Sequence, residues 1–187
     1  FGIGSVSGYI WFAFLGAAAA TVIVYMIGIA AGGNANPITL VLAGVALAAV
    51  LGGVTTFLTL INPDTFEAVR NWNLGSVART SITDTTSVAP FIIAGLIIAI
   101  LLSGSLNSIA LGDDLAASLG TKVGRTRVLG IIAVTLLAGG GTALTGGIGF
   151  VGLMIPHVVR WIVGPDQRWI ILYSALAAPA LVVAAAV

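Results

Sequence analysis

The stretch VAPFIIAGLIIAILLSGSL, from Val88 to Leu106, decides the fold class of this chain. It carries no charged side chain, and the charge-free run around it extends from Thr85 to Gly112. About 20 apolar residues, each rising ~1.5 Å along a helix, cross a hydrocarbon core that is ~30 Å thick. We therefore predict that this stretch is a transmembrane helix.

Long runs without charged residues also occur before and after that helix in the sequence. No Asp, Glu, Lys or Arg occurs in residues 1–63, 128–159 or 169–187. Of all 187 residues, 7% are charged and 59% are hydrophobic, whereas a soluble domain has roughly 25% charged residues. So few charges cannot cover a surface that faces water. We predict an all-α protein, a polytopic helical bundle in the cell membrane.

Turn-forming residues divide the apolar runs into six predicted spans. The cluster from Gly32 to Pro37 separates the first two, and Asn62-Pro63 ends the second, because proline disfavours the helical conformation of the residue before it. The predicted spans are 9–31, 38–61, 88–106, 128–144, 150–163 and 169–187. The fifth is only ~21 Å long as a helix, so it either crosses with a tilt or is buried in protein.

We treat residues 1–187 as a single transmembrane domain. The chain starts without Met and stops inside an apolar run, so we expect it to be a fragment of a longer protein. Pro90 lies near the start of the third span, where its missing N–H costs least. Gly139-Gly140-Gly141 in the fourth span either lets another helix approach closely or only loosens the helix end. We favour close packing.

Several functional classes are excluded by residue type. Without cysteine there is no disulfide scaffold, thiolate metal site or cysteine nucleophile. Lys122 is the only lysine, and its neighbours Thr121 and Val123 do not fit a GxxxxGK[ST] phosphate loop, so nucleotide hydrolysis would occur on another chain. A net charge of +1 without a basic cluster argues against nucleic acid as a partner. We expect no catalytic residue, no cofactor and no metal.

The distribution of Lys and Arg predicts the orientation in the membrane. If the spans alternate, the loops on one side are 32–37, 107–127 and 164–168, and those on the other are 62–87 and 145–149. Counting Arg160 at the end of its helix, the first side holds five Lys and Arg residues and the second holds two. Because cytoplasmic loops are enriched in these residues, we predict that loop 107–127 is cytoplasmic.

The segment from Ala110 to Gly120 predicts a short helix in that loop. Asp113 can cap its first turn, Asp114 favours the positive end of the helix, and Gly120 supplies a left-handed stop. We expect small residues on its outer surface, which suits insertion into a groove on a cytosolic partner. An ordinary connecting loop is the alternative, and the spacing alone does not decide between them.

A second distinctive segment follows the fourth span. Pro156 predicts a kink, or a helix that starts near Met154. His157, Arg160 and Trp161 are spaced to share one helix face. His157 could relay protons, since ionisable groups in membranes are often functional. No Asp or Glu lies in any predicted span, however, so we favour a packed histidine that bonds a backbone carbonyl.

These segments together resemble a known family. The residues that carry the resemblance are Leu42 to Leu47, Leu111-Gly112-Asp113, Ala116, Leu119-Gly120, Arg125-Thr126-Arg127, Gly149 to Leu153, Pro156-His157, Arg160 and Gly164-Pro165-Asp166-Gln167-Arg168. The chain resembles the permease subunits of binding-protein-dependent ABC importers for iron-siderophores, haem and cobalamin. The similarity covers essentially the whole chain.

The resemblance implies a type II-like importer permease of ten spans, of which this chain would hold the fourth to the ninth. It implies a second permease subunit, a pair of cytosolic ATP-binding subunits, an extracytoplasmic substrate-binding protein and a surrounding lipid bilayer. The implied ATPase-coupling interface comprises Gly112, Asp113, Asp114, Leu115, Ala116, Leu119, Gly120 and Arg125. Residues with an implied structural role at the cytoplasmic end are Pro156, His157, Arg160, Gly164, Pro165, Asp166 and Arg168.

One departure from the family concerns Gly146-Gly147-Ile148, where the family usually has a Gly-Pro-Ile-like turn. The resemblance therefore leaves the entry to the short fifth span less rigid. We expect uptake of a ferric siderophore, with haem and cobalamin as other possible cargoes. A secondary transporter or channel is the alternative, although such proteins usually place ionisable residues in their spans. A non-transporting membrane anchor fits poorly with six closely spaced spans.

Overall fold

The computed structural model describes residues 6–30, 37–62, 66, 69, 70, 72, 73, 75, 81–148 and 151–186. These residues form helices and connecting turns without a β-strand, which confirms the all-α prediction. The helices whose ends are described are α1 (Val6–Ala30), α2 (Pro37–Ile61), α3 (Ile82–Ile109), α4 (Asp113–Ser118), α5 (Val123–Thr145), α6 (Val151–Val163) and α7 (Gln167–Ala186).

Five of these helices are long and apolar enough to cross a membrane. They are α1, α2, α3, α5 and α7, whereas α6 has only 13 residues. A helix thus occupies each of the six predicted spans, and α4 lies in the loop between the third and the fourth. The turn at 31–36 and residues 149, 150 and 187 at the predicted span ends lie outside the described residues.

The third span begins earlier than its hydropathy suggests. The Ser81 hydroxyl accepts a hydrogen bond from the Asp84 backbone N–H at 3.1 Å, and the Asp84 carboxylate accepts one from the Ser81 backbone N–H at 3.3 Å. This reciprocal capping box starts α3 at Ile82. The expectation that Pro90 lies near the helix start is therefore wrong, because Pro90 is inside α3.

The core forms where glycines of α3 and α5 receive side chains from the neighbouring helices. A Cβ on Gly140 would lie 2.9 Å from Ile92 Cγ1, and one on Gly95 would lie 2.9 Å from Leu137 Cγ, which places α3 and α5 antiparallel. A Cβ on Gly139 would lie 2.6 Å from Phe14 Cδ1 of α1. Close helix packing is thereby confirmed for two of the three consecutive glycines.

Buried residues extend this core towards one end of the bundle. Ile10, Val88 and Ala143 form one buried cluster, and Phe14 and Phe91 pack against it. The ring centroids of Phe14 and Phe91 are 4.8 Å apart. Ile10 and Val88 lie near the starts of α1 and α3, and Ala143 lies near the end of α5. This cluster therefore lies at the end of the bundle opposite to α4.

That same end contains the turn from which α6 departs. The carbonyl of Trp72 accepts hydrogen bonds from the backbone N–H groups of Gly75 at 3.2 Å and Gly147 at 3.1 Å. A proline at position 147 could not donate this bond. Gly147 thus contributes a hydrogen bond to the turn, and the expected looser entry to the fifth span stays a prediction.

The α6–α7 pair lies beside this core. Among the described helices, α6 contacts α7 alone, and α7 reaches the rest of the bundle through α3. Ile155 and Val159 on α6 and Ile170 on α7 are buried. Of the two predicted effects of Pro156, a helix start near Met154 is wrong, since α6 begins at Val151 and continues through Pro156. The kink stays a prediction.

Candidate coupling site

The short helix α4 ends as its sequence predicts. Gly120 has a φ of +84°, its backbone N–H donates to the Ala117 carbonyl at 2.9 Å, and the N–H of Thr121 donates to the Ala116 carbonyl at 2.9 Å. These two bonds form a Schellman motif, whose left-handed residue is usually glycine. Gly112, at the other end, has a φ of +108° and is the N-cap residue. Glycines thus define both ends of this helix.

The predicted capping role of Asp113 is wrong. The N-cap is Gly112, no side chain caps this end, and Asp113 is the first helical residue. The Asp113 carboxylate instead accepts a hydrogen bond from Arg127 Nη2 at 2.6 Å, and both side chains are about a third exposed or less. An ion pair therefore joins the start of α4 to the first turns of α5, and Arg127 is a site residue that was not among the predicted ones.

Ala116 also faces the other way from our expectation. It was predicted to lie on the outer surface, but it is 0% exposed, because α4 packs against α3 and α5. Its lack of side-chain bulk allows this close approach. A large residue at position 116 would displace α4 itself, so it cannot serve as a simple test of docking.

Large apolar side chains, rather than the small ones we expected, lie on the outer surface of α4. Leu115 is 49% exposed and Leu119 is 62% exposed, and Leu111, just before the helix, is 63% exposed. Leu115 and Leu119 are four residues apart and share one face of α4, and Leu111 lies in the turn before it. Leu111 was not among the predicted interface residues. We call Leu111, Leu115 and Leu119 the leucine stripe.

Polar and charged residues surround the leucine stripe. Asp114 and Ser118 are exposed on α4, and Lys122 and Arg125 are exposed after it. The stripe lies outside the membrane-length helices. An apolar row with a polar rim on a segment outside the spans is typical of a protein-docking surface.

The predicted cytoplasmic-end residues lie close to this surface. Asn107 Nδ2 donates a hydrogen bond to Asp166 Oδ1 at 2.7 Å, and Asn107 Oδ1 accepts one from the backbone N–H of Gln167 at 2.9 Å. Loops 107–127 and 164–168 therefore lie at the same end of the bundle. Asn107 is a second residue that sequence reasoning missed, since its partners are about 60 residues further along the chain.

Asp166 is an ionised carboxylate in this arrangement. The hydrogen bond from Asn107 lowers its pKa from the ordinary value of 3.8, and the backbone N–H and the charge of Arg168 act in the same direction. Gly164, with a φ of +83°, ends α6, and Pro165 lies between it and Asp166. This turn therefore sets where α7 begins. Arg160 is exposed in the last turn of α6, where a cation suits the helix dipole.

His157 does not form the bond that we expected. It is exposed, its ring lies 5.3 Å from that of Trp161, and within the described residues no hydrogen-bond partner is found for it. Trp161 and Arg160 are exposed beside it, as the predicted shared face requires. Within the same described part of the chain, no three His, Cys, Asp or Glu residues come close enough to hold a metal ion.

Curated proteins are similar to this chain in sequence. The ferric enterobactin transport system permease protein FepD of Escherichia coli (strain K12) is 46% identical, over 97% of this chain and 54% of its own length. The Fe(3+)-citrate import system permease protein YfmD of Bacillus subtilis (strain 168) is 37% identical, over 88% of this chain and 49% of its own length. The chain thus spans about half the length of the curated relatives it matches.

A solved structure supports the fold independently. It shows an inward-facing conformation of a metal-chelate type ABC transporter and superposes with a TM-score of 0.82 over 96% of this chain and 57% of that chain, at 23% identity. With five membrane-length helices, the chain is a multi-pass membrane protein. The model of the FecCD transport family matches residues 1–187. This chain belongs to the FecCD transport family.

Proposed function

We propose that this chain forms part of the permease subunit of an ATP-driven importer that carries a ferric siderophore across the cytoplasmic membrane. The permease itself performs no chemistry on the cargo, and ATP is hydrolysed on a separate ATPase chain. The observation that carries the mechanism is the leucine stripe, which lies on a short helix attached to the end of a membrane bundle. Family membership supplies the transport class.

The leucine stripe fits a groove on a cytosolic ATP-binding subunit. An amphipathic helix binds a groove through apolar anchors about one turn apart, and Leu115 and Leu119 have that spacing. Leu111, exposed just before the helix, would extend the apolar contact. Fully burying one leucine side chain contributes about 1.5–3 kcal/mol. Asp114 and Arg125 at the polar rim would then orient the helix in the groove.

The way α4 is held allows it to transmit force. Ala116 is buried against the bundle, and the Asp113–Arg127 ion pair links the first turn of α4 to α5. A movement of the partner groove would therefore shift the ends of α3 and α5 rather than bend a loose loop. Gly112, Gly120 and the residues between them act as one coupling element.

The remaining partners follow from the transport class. A second permease subunit would complete the pathway, two ATP-binding subunits would dock on the α4 side, and a substrate-binding protein would dock on the opposite side. The cargo class is supported by the relatives, which are named for ferric enterobactin, Fe(3+)-citrate, iron(3+)-hydroxamate, hemin and cobalamin. Iron chelates dominate this set, and the most similar of these relatives is named for a siderophore.

The α4 side is the cytoplasmic side in this proposal. Single cysteines at Ser118 on α4 and at Thr83, at the opposite end of α3, should separate the two sides. In intact cells that express the full-length permease, an impermeant thiol reagent is expected to label only the cysteine at position 83. Labelling only at position 118 would reverse the orientation and contradict ATPase docking on α4.

The central test removes the leucine stripe. In the full-length permease expressed with its ATPase and binding protein, Leu119→Ser should weaken co-purification of the ATPase about tenfold, since a buried leucine contributes at least the ~1.4 kcal/mol that a tenfold change requires. Leu115→Ser should act in the same direction. Uptake of ⁵⁵Fe-labelled ferric enterobactin, ferric citrate and a ferric hydroxamate should fall in parallel.

Ser118→Ala is the matched control, because Ser118 is exposed on the same helix but lies outside the stripe. It should assemble and transport normally. If Leu119→Ser keeps normal ATPase binding at normal expression, α4 is not the coupling element. If the unaltered protein transports cobalamin or haem but none of the three iron chelates, the importer class stands and the siderophore assignment is wrong.

A further inference from the structure

Among the described helices, the α6–α7 pair contacts the core only where α7 packs against α3. Among the described helices, α6 contacts only α7, and α7 contacts only α6 and α3. The core helices differ in this respect, because α5 packs against both α1 and α3, whereas α2 contacts only α1 among the described helices. Any relative movement of the pair and the core would therefore have to occur at the α3–α7 contact or at the turn that precedes α6.

The α3–α7 contact has a polar end close to the coupling loop. Asn107, in the last turn of α3, donates to Asp166 at 2.7 Å and accepts from the Gln167 backbone N–H at 2.9 Å. Asp166 Oδ1 also accepts from the Arg168 backbone N–H at 3.0 Å. We call Asn107, Asp166 and Gln167 the α3–α7 clip.

The hydrogen bonds of the clip are directional, so they fix the position of α7 along α3. Apolar contacts are non-directional, and these helices are apolar on most of their surface, so they can slide with little change in buried area. Asn107 instead satisfies the first N–H of α7, which has no partner within its own helix. Two hydrogen bonds from one side chain, one of them to a carboxylate, fix α7 relative to the end of α3.

We propose that Asn107 and Asp166 are positioning residues, which make the α6–α7 pair follow α3 and the coupling loop during the transport cycle. The proposal rests on the proposed function, in which α4 receives the movement of the ATPase. Asn107 is separated from Gly112 by only one turn of chain, and Asp113 is tied to α5 through Arg127. A displacement of α4 thus reaches α3 and α5 directly, but it reaches α7 through the clip.

Exchanging the side chains of Asn107 and Asp166 tests their positioning role. Asn107→Asp places two carboxylates where the amide–carboxylate bond was, so it breaks the clip by repulsion. The double variant Asn107→Asp/Asp166→Asn restores the bond with donor and acceptor exchanged, and the carboxylate at position 107 still accepts from the Gln167 N–H. Ser108→Ala is the matched control, since the Ser108 hydroxyl donates to the Gly104 carbonyl of its own helix and takes no part in the clip.

The first measurement is independent of cargo. Spin labels are placed at Leu101→Cys on α3 and Ile162→Cys on α6, two positions that are 77% and 78% exposed, in an otherwise cysteine-free full-length permease assembled with its ATPase. With an intact clip, we expect one narrow distance distribution with and without ATP. Asn107→Asp should raise the population of displaced distances about tenfold, the scale of one lost charge-assisted hydrogen bond. The double variant should restore the narrow distribution.

The second measurement is cargo taken up per ATP hydrolysed in proteoliposomes, with ⁵⁵Fe-labelled ferric enterobactin as the probe. Asn107→Asp should lower this ratio severalfold while ATP hydrolysis and protein amount stay near normal, which a general loss of structure would not do. If Asn107→Asp does not fold, Asp166→Asn alone should give a smaller shift of both readouts in the same direction.

Two results overturn the proposal. Either the distance distribution of a folded clip variant matches that of the unaltered protein, or the double variant folds and fails to restore it. If the unaltered transporter takes up no iron chelate, the proposed function fails, and the distance measurement still decides the role of the clip.

Discussion

The α1–α3–α5 core and the α6–α7 pair are held by different kinds of contact. In the core, glycines bring helix backbones so close that a Cβ on Gly139 would lie 2.6 Å from Phe14. The pair instead contacts α3 alone among the core helices, and the polar α3–α7 clip lies at the end of that contact. Close packing forms one rigid unit because it leaves no space for sliding. A clip fixes a register and can be broken without disturbing the core.

The proposed coupling site lies at the junction of these two regions. α4 packs between α3 and α5 through Ala116, and the clip lies at the end of α3 from which the coupling loop leaves. The buried cluster of Ile10, Val88 and Ala143 lies at the far end of the bundle, whereas the Asp113–Arg127 ion pair and the clip lie at this end.

The largest expected effect is overpacking in the core. Gly139→Leu should lower the free energy of unfolding by about 1–3 kcal/mol, because the new side chain collides with Phe14. Gly141→Leu is the control, since a Cβ there meets no atom within 4 Å. Denaturant unfolding of the purified permease measures both. If both variants lose the same free energy of unfolding, close packing at Gly139 is not what distinguishes the core.

A smaller and more local effect is expected in the α6–α7 pair. Ile155→Val removes one buried methyl group and should cost about 0.5–1.5 kcal/mol. Hydrogen exchange should accelerate in residues 151–186 and stay unchanged in α1, α3 and α5, because the pair contacts the core only through α3. Ile162→Val, at an exposed position, should change neither. Faster exchange throughout the bundle would show that core and pair unfold as one unit.

The smallest expected effect concerns pH. Because hydrogen bonds lower the pKa of Asp166 in the folded protein, its contribution to stability is present above the ordinary pKa of 3.8 and is lost only as the pH falls below that value. Between pH 7 and pH 5 the carboxylate stays ionised. After correction for the intrinsic rate, exchange protection of the Gln167 and Arg168 amides should be the same at both values. A loss of protection by pH 5 would mean that another titrating group controls the clip.

The predictable part of the candidate site was the part set by local chemistry. Gly120 stops α4 because a left-handed residue is needed there, and its neighbours in sequence suffice to show this. The outward direction of Leu115 and the inward direction of Ala116 did not follow, since a six-residue helix has no pattern long enough to identify its buried face. The roles of Arg127 and Asn107 depend on partners elsewhere in the chain.

The sequence by itself determined that this protein is a membrane bundle with a short helix between its third and fourth spans. Hydropathy, charge and turn chemistry are local, so they act through neighbouring residues. Only the tertiary structure decided which faces meet, because helices that are apolar all round carry no periodic signal for a buried side. It also decided that Asp113 pairs with Arg127 and Asn107 with Asp166, since such bonds depend on where packing places the helix ends.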